Sequence, residues 1–181
     1  MKSQITIKKI QELLIKGVQT IYVDDDTSRR MWWASLEVIQ KDFLSQNYKQ
    51  GGIWVASPLP AFNDKKFLNQ LHGWLWSPEG FPYFQNENAG FLPVNNSEKI
   101  KKDFDLVSNY KVLNLCQEDG YEPFLMIITP NFQCVLSIVG EKDKKILLMK
   151  CDEESLKLSI ELMHAKLNQE NYEEGVKFRN A

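Results

Sequence analysis

The sequence is poor in the residues that usually build metal sites and disulfide frameworks. Its 181 residues include two histidines and three cysteines, and the cysteines, Cys116, Cys134 and Cys151, are far apart. An odd number of scattered cysteines without a C-x-x-C pair fits neither a zinc site nor the framework of a small secreted domain. We therefore expect reduced thiols and no metal site.

The chain also lacks a strong charge of either sign and a long apolar run. Its formal net charge is −2, which leaves no basic field to attract nucleic acid or an anionic membrane. No apolar stretch approaches the roughly 20 residues of a membrane-spanning helix, and the first residues do not read as a signal peptide. These absences predict a cytoplasmic protein that binds neither nucleic acid nor membranes.

Two common catalytic motifs are missing as well. Gly51 and Gly52 lack the following Lys and Ser or Thr of a phosphate-binding loop, and no serine stands in a nucleophile elbow. His72 and Cys116 remain as candidates for a reactive group, although a lone histidine is more often a hydrogen-bonded structural residue. A small enzyme acting on an aromatic or acyl substrate is therefore an alternative function.

What the chain does contain is the composition of a folded globular domain. Hydrophobic residues make up 43% of it, which is enough for a core, and its length fits one domain. We assign this domain to residues 1–167. Residues 168–181 are expected to form a polar tail, because Val176 and Phe178 are too few to bury it.

Residues 123–167 have the clearest secondary-structure pattern. Two β-rich runs, Phe124–Ile128 and 133–139, flank turn residues and predict a hairpin, and residues 146–149 predict a third strand. Asp152 can then cap a helix. Its apolar residues recur at helical spacing: Leu156, Ile160, Met163 and Leu167. This order predicts an α+β fold, an antiparallel sheet packed by helices with a C-terminal helix, as in PAS-like and GAF-like sensory domains.

An earlier predicted helix carries two arginines in its first turn. Arg29 and Arg30 oppose the helix dipole and therefore need nearby carboxylates or an anionic ligand. The acids at positions 24–26 are the favoured partners because they are close in sequence, and Asp26 or Thr27 is expected to cap the helix. An anionic ligand is the other possibility, so both arginines are candidate ligand-binding residues.

Residues 72–84 form the most aromatic stretch of the chain. Rings next to glycine and proline can wall a small-molecule pocket, but they can equally fill a core under an irregular loop. No motif identifies a cofactor. The candidate ligand-binding residues of this stretch are His72, Trp74, Trp76, Phe81 and Tyr83.

Residues 122–152 also resemble part of a known family. The runs EPFLMIITPNF at 122–132, VLSIVG at 135–140 and ILLMKCD at 146–152 are similar to the closing part of the DICT-type sensory domains of cyanobacterial signalling proteins. Such domains precede histidine kinase or diguanylate cyclase modules. The resemblance implies an input module of signal transduction with no catalysis of its own. The strand-and-helix ending, the aromatic stretch and the lack of catalytic motifs predict a cytoplasmic sensory or regulatory domain that binds a small ligand or a partner protein.

The predicted C-terminal helix has a wider apolar surface than one sheet contact requires. Leu158 and Leu162 fall on a second side of it, which predicts a homodimer through this helix. The alternative is a helix that packs wholly within its own domain. A protein-interaction domain with an exposed apolar patch is a third possible function.

Overall fold

A computed structural model of the protein describes residues 4–19, 21–45, 51–58, 71–79 and 110–180. The helices are α1 (Ile7–Leu14), α2 (Asp25–Val38), α3 (Glu153–Glu170) and α4 (Tyr172–Asn180). A π-helical turn, Ile39–Leu44, continues α2, and a 3₁₀ turn, Gln117–Asp119, follows the third strand. The strands are β1 (Ile53–Ser57), β2 (His72–Ser77), β3 (Tyr110–Asn114), β4 (Phe124–Ile128), β5 (Gln133–Glu141) and β6 (Lys144–Lys150).

The described strands form one mixed sheet in the order β3-β2-β1-β4-β5-β6. Strands β1, β4, β5 and β6 pair antiparallel, whereas β1 with β2 and β2 with β3 pair parallel. The α+β class is confirmed, but the antiparallel arrangement extends over only part of the sheet. Parallel neighbours need crossovers of a dozen or more residues, and the connections of residues 58–71 and 78–109 are long enough.

The hairpin, third strand and helix predicted for residues 123–167 are confirmed. At the turn between β4 and β5, Thr129 N–H donates to the carbonyl of Phe132 at 2.9 Å, and Phe132 N–H donates back to Thr129 Oγ1 at 3.0 Å. Asp152 accepts the N–H of Ser155 at 2.9 Å and so caps α3. Local turn and cap chemistry therefore sets this half of the fold.

Helices cover both faces of the sheet. On one face, α2 and the π-helical turn pack on a core that includes Trp54 and Leu75. On the other face, α1, α3 and α4 pack on a core that includes Trp74 and Trp76. Because side chains alternate along a strand, consecutive residues of β2 enter different cores.

The cap of α2 lies earlier than expected. Asp24, rather than Asp26 or Thr27, is the cap, because its carboxylate accepts the N–H of Thr27 at 2.6 Å. The helix begins at Asp25, which places the acids of its first turn at the positive end of the helix dipole.

The C-terminal residues also differ from the expected polar tail. Helix α3 runs past residue 167 to Glu170, and α4 follows after a single residue. Glu174, Gly175 and Phe178 of α4 are buried, and the Phe178 ring lies edge-on to Trp74 with centroids 5.4 Å apart. Counting apolar residues did not predict the burial of this helix, because one of its buried residues, Glu174, is a carboxylate that accepts a hydrogen bond from the buried indole of Trp74.

Gly73 lies against the ring of Trp54 and provides a test of the packing of the sheet. A Cβ at this position would lie 2.1 Å from Cε2 of Trp54. We expect Gly73→Ala to lower the free energy of unfolding by roughly 1–3 kcal/mol through overpacking, measured by urea denaturation. Trp54→Leu in the same chain should relieve part of the loss. Strictly additive effects of the two substitutions would contradict this explanation.

Candidate functional site

Trp74 and Trp76 lie in the core between β2 and the C-terminal helices. Both are fully buried. The indole Nε1 of Trp74 donates to Oε2 of Glu174 at 2.9 Å, and that of Trp76 donates to Oε2 of Glu170 at 2.6 Å. With Lys166, these four residues form what we call the Trp–Glu cluster. The cluster joins the parallel part of the sheet to α3 and α4.

Lys166 is a buried cation at the centre of this cluster. Its Nζ lies 3.0 Å from Asp119 Oδ1 and 2.7 Å from Glu170 Oε1, and 5.1 Å above the centroid of the Trp76 ring. Asp119 also accepts the N–H of Ile7 at 2.9 Å. Since removing one member of a buried ion pair leaves an uncompensated charge, these groups depend on one another. They tie α1, the 3₁₀ turn and α3 together.

Glu174 is a carboxylate of the cluster whose pKa lies well below its ordinary value. Burial alone raises the pKa of Glu174, but hydrogen bonds from Lys177, Trp74 and Lys111 outweigh it and bring the pKa to about 2. The two lysine Nζ atoms lie 2.9 Å and 3.2 Å from Oε1. The carboxylate is therefore ionised over the physiological pH range and serves as a structural anchor for α4.

His72 lies beside the cluster at the start of β2. Its ring meets the Trp74 ring edge-on with centroids 4.6 Å apart. Partial burial lowers the pKa of His72, which favours the neutral imidazole. Its buried Nε2 has no hydrogen-bond partner among the described residues. This environment suits a packing residue better than a proton-transferring one.

Cys116 is far from His72. The register of β2 and β3 pairs Gly73 with Tyr110, so Cys116 lies about seven strand positions, or roughly 20 Å, along the sheet from His72. Burial and the carboxylate of Asp119 raise the pKa of the Cys116 thiol. The structure therefore does not assemble a Cys–His pair from these two candidates.

The two candidate arginines lie on the opposite face of the sheet from Trp74. Arg29 Nε donates to Asp25 Oδ2 at 2.8 Å, so the local carboxylate predicted from the sequence is confirmed for Arg29. Arg30 Nη2 donates to Thr27 Oγ1 at 3.2 Å. The structure does not bring the arginines and tryptophans together. Phe81 and Tyr83 lie outside the described residues.

A groove lies elsewhere, between the β4–β5 turn and the first half of α3. Its volume is about 640 Å³, and it is open to solvent. The turn and the first residue of β5 contribute Pro130, Asn131, Phe132 and Gln133. Cys151 lies just before α3, and α3 contributes Glu153, Leu156, Lys157, Ile160 and Glu161. The sequence pattern did not predict it, because it identified the hairpin turn and the helix separately and gave no sign that the two lie side by side.

The predicted interface residues have different environments. Leu158 is 38% exposed on the outer side of α3. Leu162 is half-buried and packs against the core that contains Trp74. Only Leu158 therefore presents a large free surface, and the predicted homodimer remains a prediction.

Residues 4–19, 21–45, 51–58, 71–79 and 110–180 contain neither a metal-binding cluster nor a membrane-spanning helix. Within those ranges, no three His, Cys, Asp or Glu side chains come close enough together to hold a metal ion. None of the helices described is both long and apolar enough to cross a membrane.

The family of the chain follows from its match to a family model. Residues 8–181 match the domain of unknown function DUF8628. The chain belongs to the DUF8628 family. No curated protein and no solved structure shows significant similarity to it. The match extends through α4, so the DUF8628 domain includes the C-terminal helix that the sequence pattern left out.

The low pKa of Glu174 gives a prediction for the pH dependence of stability. A carboxyl pKa that is lower in the folded chain, about 2 against an ordinary 4.5, contributes stability above pH 4.5 that is lost as the pH falls toward 2. Glu174→Gln should therefore cost roughly 2–3 kcal/mol at pH 7 and progressively less in acid. Thermal melts from pH 2 to 7 measure both effects.

Glu173→Gln is the matched control, since Glu173 is the exposed neighbour on the same helix. It should change stability little at any pH. A constant difference between wild type and Glu174→Gln across the whole pH range would show that the carboxylate charge does not stabilise the fold.

Proposed function

We propose that the protein is a non-catalytic, cytoplasmic sensory or regulatory domain. It binds a small ligand or a signalling protein and passes its state on through the C-terminal helices. The observation that carries this proposal is the groove, because one of its walls is the helix that would transmit the signal. A molecule seated there touches Leu156 and Ile160 of α3 directly.

The size and chemistry of the groove suit a small molecule. Its volume lies in the range of roughly 300–1,000 Å³ that is usual for ligand sites. Phe132, Leu156 and Ile160 provide apolar surface, and Lys157 between Glu153 and Glu161 provides charged groups at the rim. We therefore favour a ligand with an apolar body and a polar end.

The resemblance to DICT-type domains supports the same function. The sequence runs that carry it form consecutive elements, β4, β5, β6 and the cap of α3. Four residues of these runs line the groove: Pro130, Asn131, Phe132 and Cys151. In an input module, this unit would hold the ligand and start the output helix.

The chemistry of the thiols and of His72 favours binding over catalysis. Burial raises the pKa of the Cys116 thiol. The pKa of the Cys151 thiol is also raised, mainly by burial and to a smaller extent by the nearby carboxylate of Asp152. A thiol is a nucleophile only as thiolate, so a raised pKa weakens it. The enzyme alternative would need one of these groups to be activated by a residue that lies elsewhere.

The proposal is tested by native mass spectrometry of the protein purified from its own host. Wild type should retain a small molecule or co-purify with a protein. Ile160→Trp fills the groove and should reduce the amount of bound molecule at least tenfold if the ligand lies there. Glu154→Trp, at an exposed position in the first turn of α3, is the matched control and should leave the amount of bound molecule unchanged.

The outcomes separate the site from the function. If Ile160→Trp still retains the bound molecule, the ligand lies outside the groove. A wild-type protein with neither a bound molecule nor a partner would count against a sensory role. Turnover of a co-purified molecule that is abolished by Cys116→Ser would favour the enzyme alternative.

A further inference from the structure

Six residues of the C-terminal helices follow the spacing of a coiled-coil seam. They recur at intervals of four and three residues, which are the a and d positions of a heptad repeat. Leu158, Tyr172 and Val176 are 38%, 74% and 37% exposed, although they are large apolar side chains. We call the set the heptad seam: Leu158, Leu162, Ala165, Gln169, Tyr172 and Val176.

A bend at Asn171 divides this seam into two parts. Asn171 is the single residue between α3 and α4 and has an extended backbone, with φ −155° and ψ 113°. A Cβ on Gly175 would lie 3.1 Å from the Cα of Asn168. In a straight helix, residues seven positions apart are about 10 Å apart along the axis. The seam residues of α4 therefore do not continue the line of those of α3.

Two backbone hydrogen bonds at the bend already have the i to i−4 spacing of a helix. Asn171 N–H donates to the carbonyl of Leu167 at 2.7 Å, and Gly175 N–H donates to that of Asn171 at 3.1 Å. Asn171 Oδ1 accepts the N–H groups of Glu173 at 3.0 Å and Glu174 at 3.4 Å, which stabilises the turn. A change of backbone angles at this one residue would join α3 and α4, as in other hinge motions.

We propose that α3 and α4 convert into one continuous helix whose heptad seam pairs with that of a second copy in a parallel coiled coil. This deepens the proposed function, since it names the partner through which the C-terminal helices transmit the state of the domain. The bent form with α4 on Trp74 is the monomer. The straight form, in which α4 leaves the sheet, is the dimer.

The seam itself indicates the second copy and the parallel direction. Residues 158–176 span almost three heptads, slightly less than the three to four heptads that identify a coiled coil from sequence alone, so the exposure of Leu158, Tyr172 and Val176 supports the seam as well. In a parallel dimer, Gln169 faces its own copy, and the two amides can bond each other and fix the register. In an antiparallel dimer with Leu158 opposite Val176, Gln169 would face Ala165 and lose that partner.

The flanking positions are compatible with the same arrangement. In a parallel dimer, residues at the e and g positions on either side of the seam face each other between the two helices. These pairs are Glu154 with Ser159, Glu161 with Lys166, Asn168 with Glu173 and Gly175 with Asn180. None of these pairs opposes two like charges. Lys166 is bound by Asp119 and Glu170 in the bent form, so its contacts stay within its own domain.

Gly175→Ala is the decisive substitution. Its new methyl group would lie 1.8 Å from Asn168 Oδ1 in the bent form, whereas alanine favours a continuous helix over glycine. We expect the dimer dissociation constant from sedimentation equilibrium to fall by roughly tenfold or more, with more helix in the circular dichroism spectrum. Adding Tyr172→Ser should restore the monomer, and adding Glu173→Ser should not.

A second variant keeps the test decisive if Gly175→Ala unfolds α4. Asn171→Ala removes the two side-chain bonds of the turn and leaves the groove intact. It too should increase the dimer. If both variants stay as monomeric as wild type, or if their dimers survive Tyr172→Ser, the proposal is overturned.

The direction of pairing is tested with a cysteine at the seam. Val176→Cys, in a Gly175→Ala and Cys151→Ser background, should form a disulfide between copies on mild oxidation, because equal positions meet only in a parallel dimer. Dimers without this disulfide would refute the parallel arrangement. None of these dimerisation measurements involves a ligand. A groove that binds nothing would therefore contradict the proposed function without changing the expected dimerisation results.

Discussion

The hydrogen bonds from two buried indoles to two carboxylates hold the C-terminal helices on the sheet. Trp74 and Trp76 place polar N–H groups in the core, where an unpaired donor is costly. A purely apolar helix could not satisfy them. Glu170 and Glu174 can, and their charges are in turn balanced by Lys166, Lys111 and Lys177. The helices that cover the parallel part of the sheet therefore place carboxylates at the two positions where buried indole N–H groups need acceptors.

The antiparallel part of the fold could be predicted because its determinants are local. The hairpin of β4 and β5 follows from two apolar runs around Thr129 and Pro130, and α3 begins at a capping aspartate. Each of these features depends on residues within a few positions of one another. For this reason, the sequence pattern of residues 123–167 was sufficient to predict the hairpin, the third strand and the helix.

The rest of the fold depends on contacts between distant residues. Asp119 and Lys166 are 47 positions apart in the sequence, and Trp74 is 100 positions from Glu174. A lysine or glutamate is normally a surface residue, so composition alone assigns it to solvent. The candidate site was affected in the same way: the rings of Trp74 and Trp76 could be found from sequence, but their carboxylate partners could not.

The mixed sheet also has a consequence for the order of folding. Strands β4, β5 and β6 with α3 form a unit of low contact order, since their contacts are local, whereas β1 must meet β4 across a long connection and β2 and β3 add through crossovers. We expect the antiparallel unit to act as the template on which the parallel strands assemble. Helix α4 follows every described strand in the sequence and closes over β2, which came much earlier in the chain, so its docking completes the core around Trp74.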